Sequence, residues 1–381
     1  MRTLLVTLSY LGGNGGGVYA SRTHINLFTE LSEHLTLLYP YKQGEEPRGI
    51  NCEKIELVPI EDFRSKVRKF FDLIRGKVHR FAPDKSFFDS NKYDVVVFDS
   101  SVVSSGLVKK FKSAGIKVIT IHHNYQIEYL LGDVSLLILL PSLLWTKIYE
   151  GDAVRYSDLN ITLTQQDVEL LKKHYGHRAK FEVLGVFEYQ RNTPAIIQTE
   201  SRKHRYVMTG GLGSKQTEQS LIRWIERLYP ILLKEDPNAT LTIAGSNPSA
   251  KLARIIEQNG IKLVSSPPTM ETILKNADFY INPVDCGGGL KLRNLDGLKY
   301  GLPVLTHKVS LRGYEKMADQ GVIFSYANQE EFAEGVKNIM VLGTNRKDIQ
   351  EKYLSQYQFD MGLKRLTEIL KKNELLELTN S

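Results

Sequence analysis

The fold of this chain is indicated most clearly by one stretch, PVDCGGGLKLRNLDGLKYGLP, which runs from Pro283 to Pro303. The apolar residues 279–281 directly before it predict a buried strand. The glycines from Gly287 to Gly289 allow the backbone N–H groups to approach an anion closely. Leucines then recur at helical spacing, at Leu292, Leu295 and Leu298. The stretch therefore predicts a strand, a glycine-rich loop and a helix N-terminus, whose dipole favours phosphate oxygens.

Two cations and an acid follow the glycines. Lys291 and Arg293 come directly after the loop, and Asp296 follows at a distance from the glycines that suits a ribose. The alternative is an ordinary tight turn with both cations in solvent. The order of strand, glycines, cations, acid and then a second buried strand near Val304 favours a site for phosphate and ribose.

The same residues resemble the nucleotide-sugar site of GT-B glycosyltransferases, in particular the retaining family 4 group (glycosyl transferases group 1). Its pattern runs from Pro through a Gly/Ser-rich loop, a Lys/Arg-x-Lys step and Leu-Glu-Ala to Gly-x-Pro-Val-Val. The matching positions are Gly287 to Gly289, Lys291, Arg293, Leu295, Asp296, Gly301, Pro303 and Val304. Two positions depart from the pattern: the ribose-binding Glu of the family is Asp296, and a Glu that many members carry eight positions earlier is Gly288.

The resemblance covers nearly the whole chain and implies an α/β fold of two Rossmann-like, doubly wound domains that face a central cleft. We expect an N-terminal acceptor domain at 1–188, a linker at 189–203 and a donor domain at 204–345. We expect the helices of 346–381 to cross back to the first domain. Family members offer N–H groups and a cation to the donor diphosphate from the first loop of the donor domain, which corresponds here to Gly210, Gly211 and Lys215.

The N-terminal half alternates strands and helices. A glycine-rich loop with Gly15, Gly16 and Gly17 follows the first strand. Its spacing differs from the dinucleotide-binding G-x-G-x-x-G, and no acid ends the second strand. The loop resembles the family's N-terminal loop, which faces the donor pyrophosphate and the acceptor. A flexible surface loop is the alternative.

A pair of histidines ends another predicted strand. The strands DVVVFD at 94–99 and GIKVITI at 115–121 predict a parallel sheet, and ligands gather at the carboxyl ends of such strands. His123 and Asn124 resemble the family's His-Asn-x-Glu step, in which the histidine reaches the donor sugar. A metal site is the first alternative, but no third ligand has metal spacing. A structural histidine is the second.

Two segments suggest a lipid or an apolar partner. Residues 61–81 predict a helix with one apolar and one basic face, which would lie either on an anionic membrane or on the sheet. Residues 130–149 are apolar but interrupted, and a span needs roughly 20 apolar residues. They predict a core helix or an exposed patch suited to a polyprenyl-linked acceptor.

Composition is compatible with this interpretation. The chain has 381 residues, of which 42% are hydrophobic, and this is enough to form two cores. Its net charge of +7 suits anionic ligands or surfaces. Cys52 and Cys286 are far apart, which argues against a disulfide framework and a zinc site and favours a reducing cytoplasm. The N-terminus lacks the pattern of a signal peptide. The basic residues are dispersed, so no nucleic acid is expected as a partner.

The resemblance implies a metal-independent, retaining transfer of a hexose-type sugar to a glycan or polyprenyl-linked acceptor, in surface polysaccharide or glycoconjugate synthesis. The donor would be a nucleotide-sugar, foremost a UDP-sugar, and no cofactor is expected. His123 would position the donor sugar. We expect a cytoplasmic protein that can contact the inner face of the cell membrane peripherally. The alternatives are a catalytically inactive GT-B partner or glycan-binding protein, suggested by Gly288, and a sugar-nucleotide epimerase.

Overall fold

The chain forms two compact units. The computed structural model describes residues 1–13, 15–41, 44–61, 65–76, 85–104, 107–133, 136–195, 203–342 and 345–376. The first unit comprises Met1–Arg191 and Tyr357–Ser381, and the second comprises Asn192–Gln356. Of the linker expected at 189–203, the residues up to Arg191 belong to the first unit, and residues 196–202 lie outside the described residues.

The first unit is built on one parallel sheet. Its strands are β1 (Arg2–Val6), β2 (His34–Tyr41), β3 (Ile55–Glu61), β4 (Val95–Phe98), β5 (Lys117–His122), β6 (Leu159–Thr162) and β7 (Phe181–Val183). Its helices in this part of the chain are α1 (Gly16–Leu31), α2 (Lys66–Ile74), α3 (Leu107–Ser113), α4 (Gln126–Asp133), α5 (Leu136–Tyr156) and α6 (Gln165–Tyr175). Among the described residues the strand order is β3-β2-β1-β4-β5-β6-β7.

Apolar side chains cover both faces of this sheet, because successive strand residues point to opposite sides. Leu5 packs in one cluster with Ile25 and Phe28 of α1. Its neighbours Leu4 and Val6 pack in the other cluster, which includes residues of β4, β5 and α3. The sheet is therefore buried between two layers of helices.

The helix expected at 61–81 begins later than expected. Glu61 pairs with Tyr41 at the end of β3, so the run before it extends the sheet. Helix α2 begins at Lys66, after Ser65, whose Oγ accepts a hydrogen bond of 3.2 Å from the backbone N–H of Arg68. The expected start was wrong because strand pairing with β2 outweighs the local helical pattern. Residues 62–64 and 77–84 lie outside the described residues.

The second unit has a similar plan. Its strands are β8 (Arg205–Gly211), β9 (Thr240–Ser246), β10 (Lys262–Ser265), β11 (Phe279–Asn282), β12 (Val304–His307) and β13 (Ile323–Tyr326). Its helices are α7 (Lys215–Arg227), α8 (Tyr229–Glu235), α9 (Ala250–Gln258), α10 (Glu271–Lys275), α11 (Arg293–Lys299), α12 (Glu315–Asp319) and α13 (Gln329–Val341). The described strands are parallel, in the order β10-β9-β8-β11-β12-β13. The expected fold class, two doubly wound Rossmann-like domains, is confirmed.

The two helices that end the described chain belong to different units. They are α14 (Arg346–Tyr357) and α15 (Phe359–Lys372). The guanidinium of Arg346 donates hydrogen bonds to the carbonyls of Leu274, Lys275, Ala277 and Tyr300, all in the second unit. Helix α15 instead buries Leu366, Ile369 and Leu370 in the core of the first unit. Residues up to Gln356 therefore pack with the second unit, and those from Tyr357 with the first.

Candidate functional site

The glycine-rich loop of the second unit lies between β11 and α11, and its backbone needs glycine at two positions. Gly287 has φ +84° and Gly289 has φ +71°, a region that other residues rarely adopt. A Cβ on Gly287 would also lie 2.9 Å from the amide carbon of Gln216, in the first turn of α7. The loop thus packs closely against α7. Lys215, the first residue of that helix, is exposed.

Lys291 closes this loop. Its ammonium donates hydrogen bonds to the carbonyl oxygens of Gly287, at 3.1 Å, and of Gly288, at 2.9 Å. The hydroxyl of Tyr314 in turn donates to the carbonyl of Lys291 at 3.1 Å. A positive charge therefore lies directly beside the backbone at which an anion was predicted to bind.

Arg293 connects α11 to the end of β8. Its guanidinium donates hydrogen bonds to the carbonyl of Gly211, at 2.6 Å, and to Oγ1 of Thr217, at 3.0 Å. Gly210 has φ +127°, and a Cβ there would lie 2.8 Å from the guanidinium carbon. The predicted residues of the two loops therefore meet at Arg293.

Asp296 lies at the same edge of the second sheet and is held by a residue of β8. Its carboxylate accepts a hydrogen bond of 2.7 Å from the hydroxyl of Thr209, which also contacts the hydroxyl of Tyr280 at 2.9 Å. Burial raises the pKa of Tyr280, so this phenol stays protonated. Threonine 209 was missed by the sequence analysis, although it directly precedes the predicted glycines at the carboxyl end of a strand.

A second carboxylate fixes the start of the loop. Asp285 accepts hydrogen bonds of 2.7 Å from Ser220 and 2.8 Å from Nε of Arg223, both on α7. Burial alone would raise the pKa of Asp285, but Arg223 and Ser220 outweigh it and hold the pKa below its usual value. The loop is therefore attached to α7 before it reaches the glycines. The sequence contained no local signal for this contact, because its partners are more than 60 residues apart.

The carboxyl edge of the first sheet holds a second cluster, around Asp99. Its Oδ1 lies 2.7 Å from Nδ1 of His24 and 2.7 Å from Nε2 of His123. Its Oδ2 accepts a hydrogen bond of 2.8 Å from the hydroxyl of Thr7. The side chains of His24 and Asp99 are buried, whereas 16% of the His123 side chain is exposed. Only His123 of this group is therefore open to a ligand.

The charges of this cluster depend on one another. Burial alone would raise the pKa of Asp99, but the charge and hydrogen bonds of the two histidines hold it well below its usual range. Burial alone would lower the pKa of His123, but the charge of Asp99 outweighs burial and raises it. For His24 burial dominates, and its pKa is lowered. These shifts favour an ionised carboxylate on Asp99 beside a protonated imidazole on His123.

The cluster also supplies a third group for the metal-site alternative. One ligand atom each of His24, Asp99 and His123 lies within 4.8 Å of the others. Both ring nitrogens are, however, at hydrogen-bonding distance from the same carboxylate oxygen. The geometry is that of a hydrogen-bonded group, and the absence of a metal from the reaction stays a prediction.

The neighbours of His123 differ in environment. His122 is buried, its Nε2 lies 2.9 Å from Oδ1 of Asn160, and burial lowers its pKa to about 4. Asn124 is half-buried, and its Oδ1 has no hydrogen-bond partner among the described residues.

On the other predicted loop, Gly15, Gly16 and Gly17 are exposed at the start of α1. A Cβ on Gly15 or Gly17 would meet nothing, so space does not require glycine there.

Two buried carboxylates hold the segment after His123. Glu150 of α5 accepts a hydrogen bond of 3.1 Å from the backbone N–H of Gln126 and one of 2.9 Å from the hydroxyl of Tyr175. Asp167 of α6 accepts a bond of 3.0 Å from the N–H of Tyr125. Burial raises the pKa of Glu150 to about 7, although its hydrogen bonds oppose this. These acids were missed because they lie on helices distant in sequence.

Comparison with known proteins connects this geometry to a family. Residues 203–341 match the family model described as glycosyl transferases group 1. A curated relative, an uncharacterized 44.6 kDa protein in the cps region of Klebsiella pneumoniae, is 25% identical over 245 residues. The match covers 59% of this chain and 60% of the relative's length. Among the described residues, no helix is long and apolar enough to cross a membrane.

Solved structures resemble the chain over almost its full length. Anabaena Alr3699/HepE in complex with UDP has a TM-score of 0.68 and 12% identity, over 98% of this chain and 100% of that one. A glycosyltransferase from Rickettsia africae has a TM-score of 0.67 and 13% identity, over 100% and 99%. The pneumococcal O-GlcNAc transferase GtfA, in complex with UDP and GlcNAc, has a TM-score of 0.65 and 11% identity, over 98% and 99%. The predicted resemblance is thus confirmed: the chain has the GT-B fold, and residues 203–341 match the model of glycosyl transferases group 1.

Proposed function

We propose that this protein transfers a sugar from a nucleoside-diphosphate donor, foremost a UDP-sugar, to a hydroxyl group of a glycan or lipid-linked acceptor. The observation that carries the proposal is the meeting of Gly210, Gly211, Lys291, Arg293 and Asp296 at one edge of the second sheet. This edge lies within the segment that matches glycosyl transferases group 1. Structures of similar fold are complexes with UDP or UDP-glucose, which supports UDP as the first nucleotide to test.

The site suits the charge that develops on a leaving diphosphate. The ammonium of Lys291 is held beside Gly287 and Gly288, and the guanidinium of Arg293 is held beside Gly211. Fixed charges at such a site stabilise a transition state without reorganisation. Lys215, at the start of α7, would add a third cation. The proposal therefore needs no metal ion. Asp296 would accept hydrogen bonds from the ribose hydroxyls.

We propose that His123 contacts the sugar that is transferred. Its pKa is raised by Asp99, so a charged imidazole can hold sugar hydroxyls or an acidic substrate group. Asn124 offers an amide oxygen without a partner in the described structure. We propose that both contact the sugar, that Gly15 to Gly17 adjoin the acceptor, and that the configuration at the anomeric carbon is retained. Hexosyl specificity and a role in surface polysaccharide synthesis belong to the same proposal.

An inactive GT-B partner or glycan-binding protein is the second candidate. It is favoured by Gly288, which stands where many family members carry an acid and which offers only its backbone to a ligand. The two candidates differ in turnover. A transferase releases nucleoside diphosphate from the donor, whereas a binding protein leaves the donor intact. A sugar-nucleotide epimerase would instead invert C2 of the free donor.

The test is a thermal-shift panel of UDP, GDP, ADP, TDP and CMP, each with and without its common sugars. A ligand at about 100 times its Kd raises stability by about 2.7 kcal/mol, which such a panel detects. We expect a shift with UDP that Asp296→Ala and Lys291→Ala abolish. The exposed residues Asp319 and Lys234 provide matched controls, and their alanine variants should keep the shift. No shift with any nucleotide would contradict the donor site, and a shift without turnover would favour the binding protein.

A further inference from the structure

Helix α2 exposes its apolar stripe. Its large apolar residues recur at positions that share one helical face: Val67, Phe70, Phe71 and Ile74. Their exposed fractions are 66%, 42%, 51% and 48%. The buried residue of this helix is instead an acid, Asp72, which is 3% exposed and lies 3.3 Å from Nε of Arg68. The helix is thus turned with its apolar side away from the core of its own unit.

Helix α5 adds a second exposed row. Leu140, Leu144 and Ile148 follow one another at four-residue intervals, so they lie along one side of the helix. Their exposed fractions are 77%, 56% and 41%. Single exposed apolar residues are ordinary on a protein surface, but a continuous set marks an interaction site.

The two helices are held together at one end. Nε1 of Trp145, on α5, donates a hydrogen bond of 3.3 Å to the carbonyl of Ile74, and the hydroxyl of Tyr149 donates to the carbonyl of Gly76. Gly76 is buried with φ +74°, and a Cβ there would lie 2.6 Å from the Trp145 ring. The exposed apolar residues of α2 and α5 therefore lie on two helices that contact each other, and together we call them the apolar face: Val67, Phe70, Phe71, Ile74, Leu140, Leu144 and Ile148.

The charge around the apolar face selects its partner. Exposed cations accompany it on and beside α2: Lys66, Arg68, Lys69 and Arg75. The acid of α2, Asp72, is buried and pairs with one of these cations, Arg68, so the three cations of the helix outnumber its single acid. A symmetric contact between two copies of the chain would bring these cations against each other. An anionic lipid surface accepts both the cations and the apolar side chains.

We propose that the apolar face docks on an anionic lipid bilayer, with α2 and α5 lying in the headgroup region. Phenylalanine and leucine side chains would enter the boundary of the acyl chains, while lysine and arginine contact the lipid phosphates. This inference uses the surface of the first unit alone and does not depend on the proposed sugar transfer. Binding to lipid is therefore measurable without a donor or an acceptor.

The test is flotation of the full chain with vesicles of phosphatidylcholine alone and with about one third phosphatidylglycerol. We expect binding to the anionic vesicles only, weakened by added salt. The double variant Phe70→Ser and Phe71→Ser should bind about tenfold more weakly, because most of the inserted aromatic area is lost. Lys66→Glu with Lys69→Glu should also weaken binding, most strongly at low salt.

The matched controls lie on the second unit. Val341 and Leu233 are 83% and 38% exposed, and their double serine variant should bind as the wild type does. Glutamate variants of the exposed Lys234 and Lys316 control for net charge. Three results would overturn the proposal: no binding of the wild type to anionic vesicles, equal binding by the phenylalanine variant, or a dimer of the wild type that this variant dissociates.

Discussion

Nε2 of His123 lies 2.7 Å from Oδ1 of Asp99, and the two residues follow the neighbouring strands β4 and β5. The carboxylate is fully buried, while the imidazole is partly open. The charge of Asp99 opposes the effect of burial and raises the pKa of His123, so it favours the protonated imidazole.

We predict that Asp99→Asn lowers the pKa of His123 below the ordinary histidine value of about 6.5. Burial then acts on His123 without a compensating charge. Titration of isotope-labelled histidine by NMR measures this directly in both proteins. Asp319→Asn, on the surface of the second unit, should leave the titration of His123 unchanged. An unchanged or higher pKa of His123 in Asp99→Asn would show that Asp99 does not control its charge.

Glu150→Gln should change how stability depends on pH. In the folded protein the pKa of Glu150 is raised to about 7. Between the usual pKa of a glutamate and about pH 7, the folded protein therefore holds a proton on Glu150 that the unfolded chain releases. The contribution of Glu150 to stability is therefore greatest at low pH and is lost as pH rises through this window, by about 3 kcal/mol in total. Glutamine resembles the protonated acid and lacks this loss.

Urea unfolding at pH 5 and pH 8 checks this prediction. The urea midpoint of the wild type should fall more between the two pH values than that of Glu150→Gln. The exposed Glu169 on α6 is the matched control, and its glutamine variant should follow the wild type. Equal pH dependence of Glu150→Gln and wild type would mean that Glu150 ionises in the fold without penalty.

Gly287→Ala should remove nucleotide binding. The new Cβ would overlap the side chain of Gln216, and the positive φ adds backbone strain of about 1 kcal/mol. Gly260→Ala is the matched control, because Gly260 has φ +67° in the same unit but open space around its Cα. We expect similar backbone strain in both, with the thermal shift by UDP lost only in Gly287→Ala. Retention of that shift in both variants would place the nucleotide away from this loop.

Arg346→Lys should destabilise the second unit. Arg346 is 6% exposed and is hydrogen-bonded to the carbonyls at the ends of α10 and α11. A lysine cannot reach all of these acceptors, and buried carbonyls that lose their donors would lower the free energy of unfolding by about 3 kcal/mol. A lowered Tm by calorimetry checks this. Arg227→Lys, on the exposed side of α7, should leave the Tm within error of the wild type.

The sequence was most informative where a contact is local. The loop from Gly287 to Arg293 could be predicted because strand, glycines, cations and helix follow one another within a few residues. Only part of the group around Asp99 could be predicted from the sequence. His24 is buried on α1, and its bond to Asp99 joins residues that are 75 positions apart. Sequence order does not show which charged groups a fold brings together.

The predicted role of Arg293 shows a second limit. A cation after a glycine-rich loop is expected to face a phosphate, yet the guanidinium also holds Gly211 and Thr217 in place. A pattern of residue types indicates charge but not which hydrogen bonds the side chain already makes. The start of α2 shows the same limit for backbone structure, since pairing with β2 decides where β3 ends.

The discontinuous first unit has a consequence for synthesis on the ribosome. Its core includes Leu366 and Leu370 of α15, which are translated after the whole of the second unit. Residues 192–356 can therefore complete their own core first. The core of residues 1–191 stays incomplete until α15 has been translated. A nascent chain stopped before Phe359 would expose apolar surface of α1 to chaperones. Loss of α15 by proteolysis should accordingly unfold the N-terminal half of the chain before it affects the loop from Gly287 to Gly289 in the second unit.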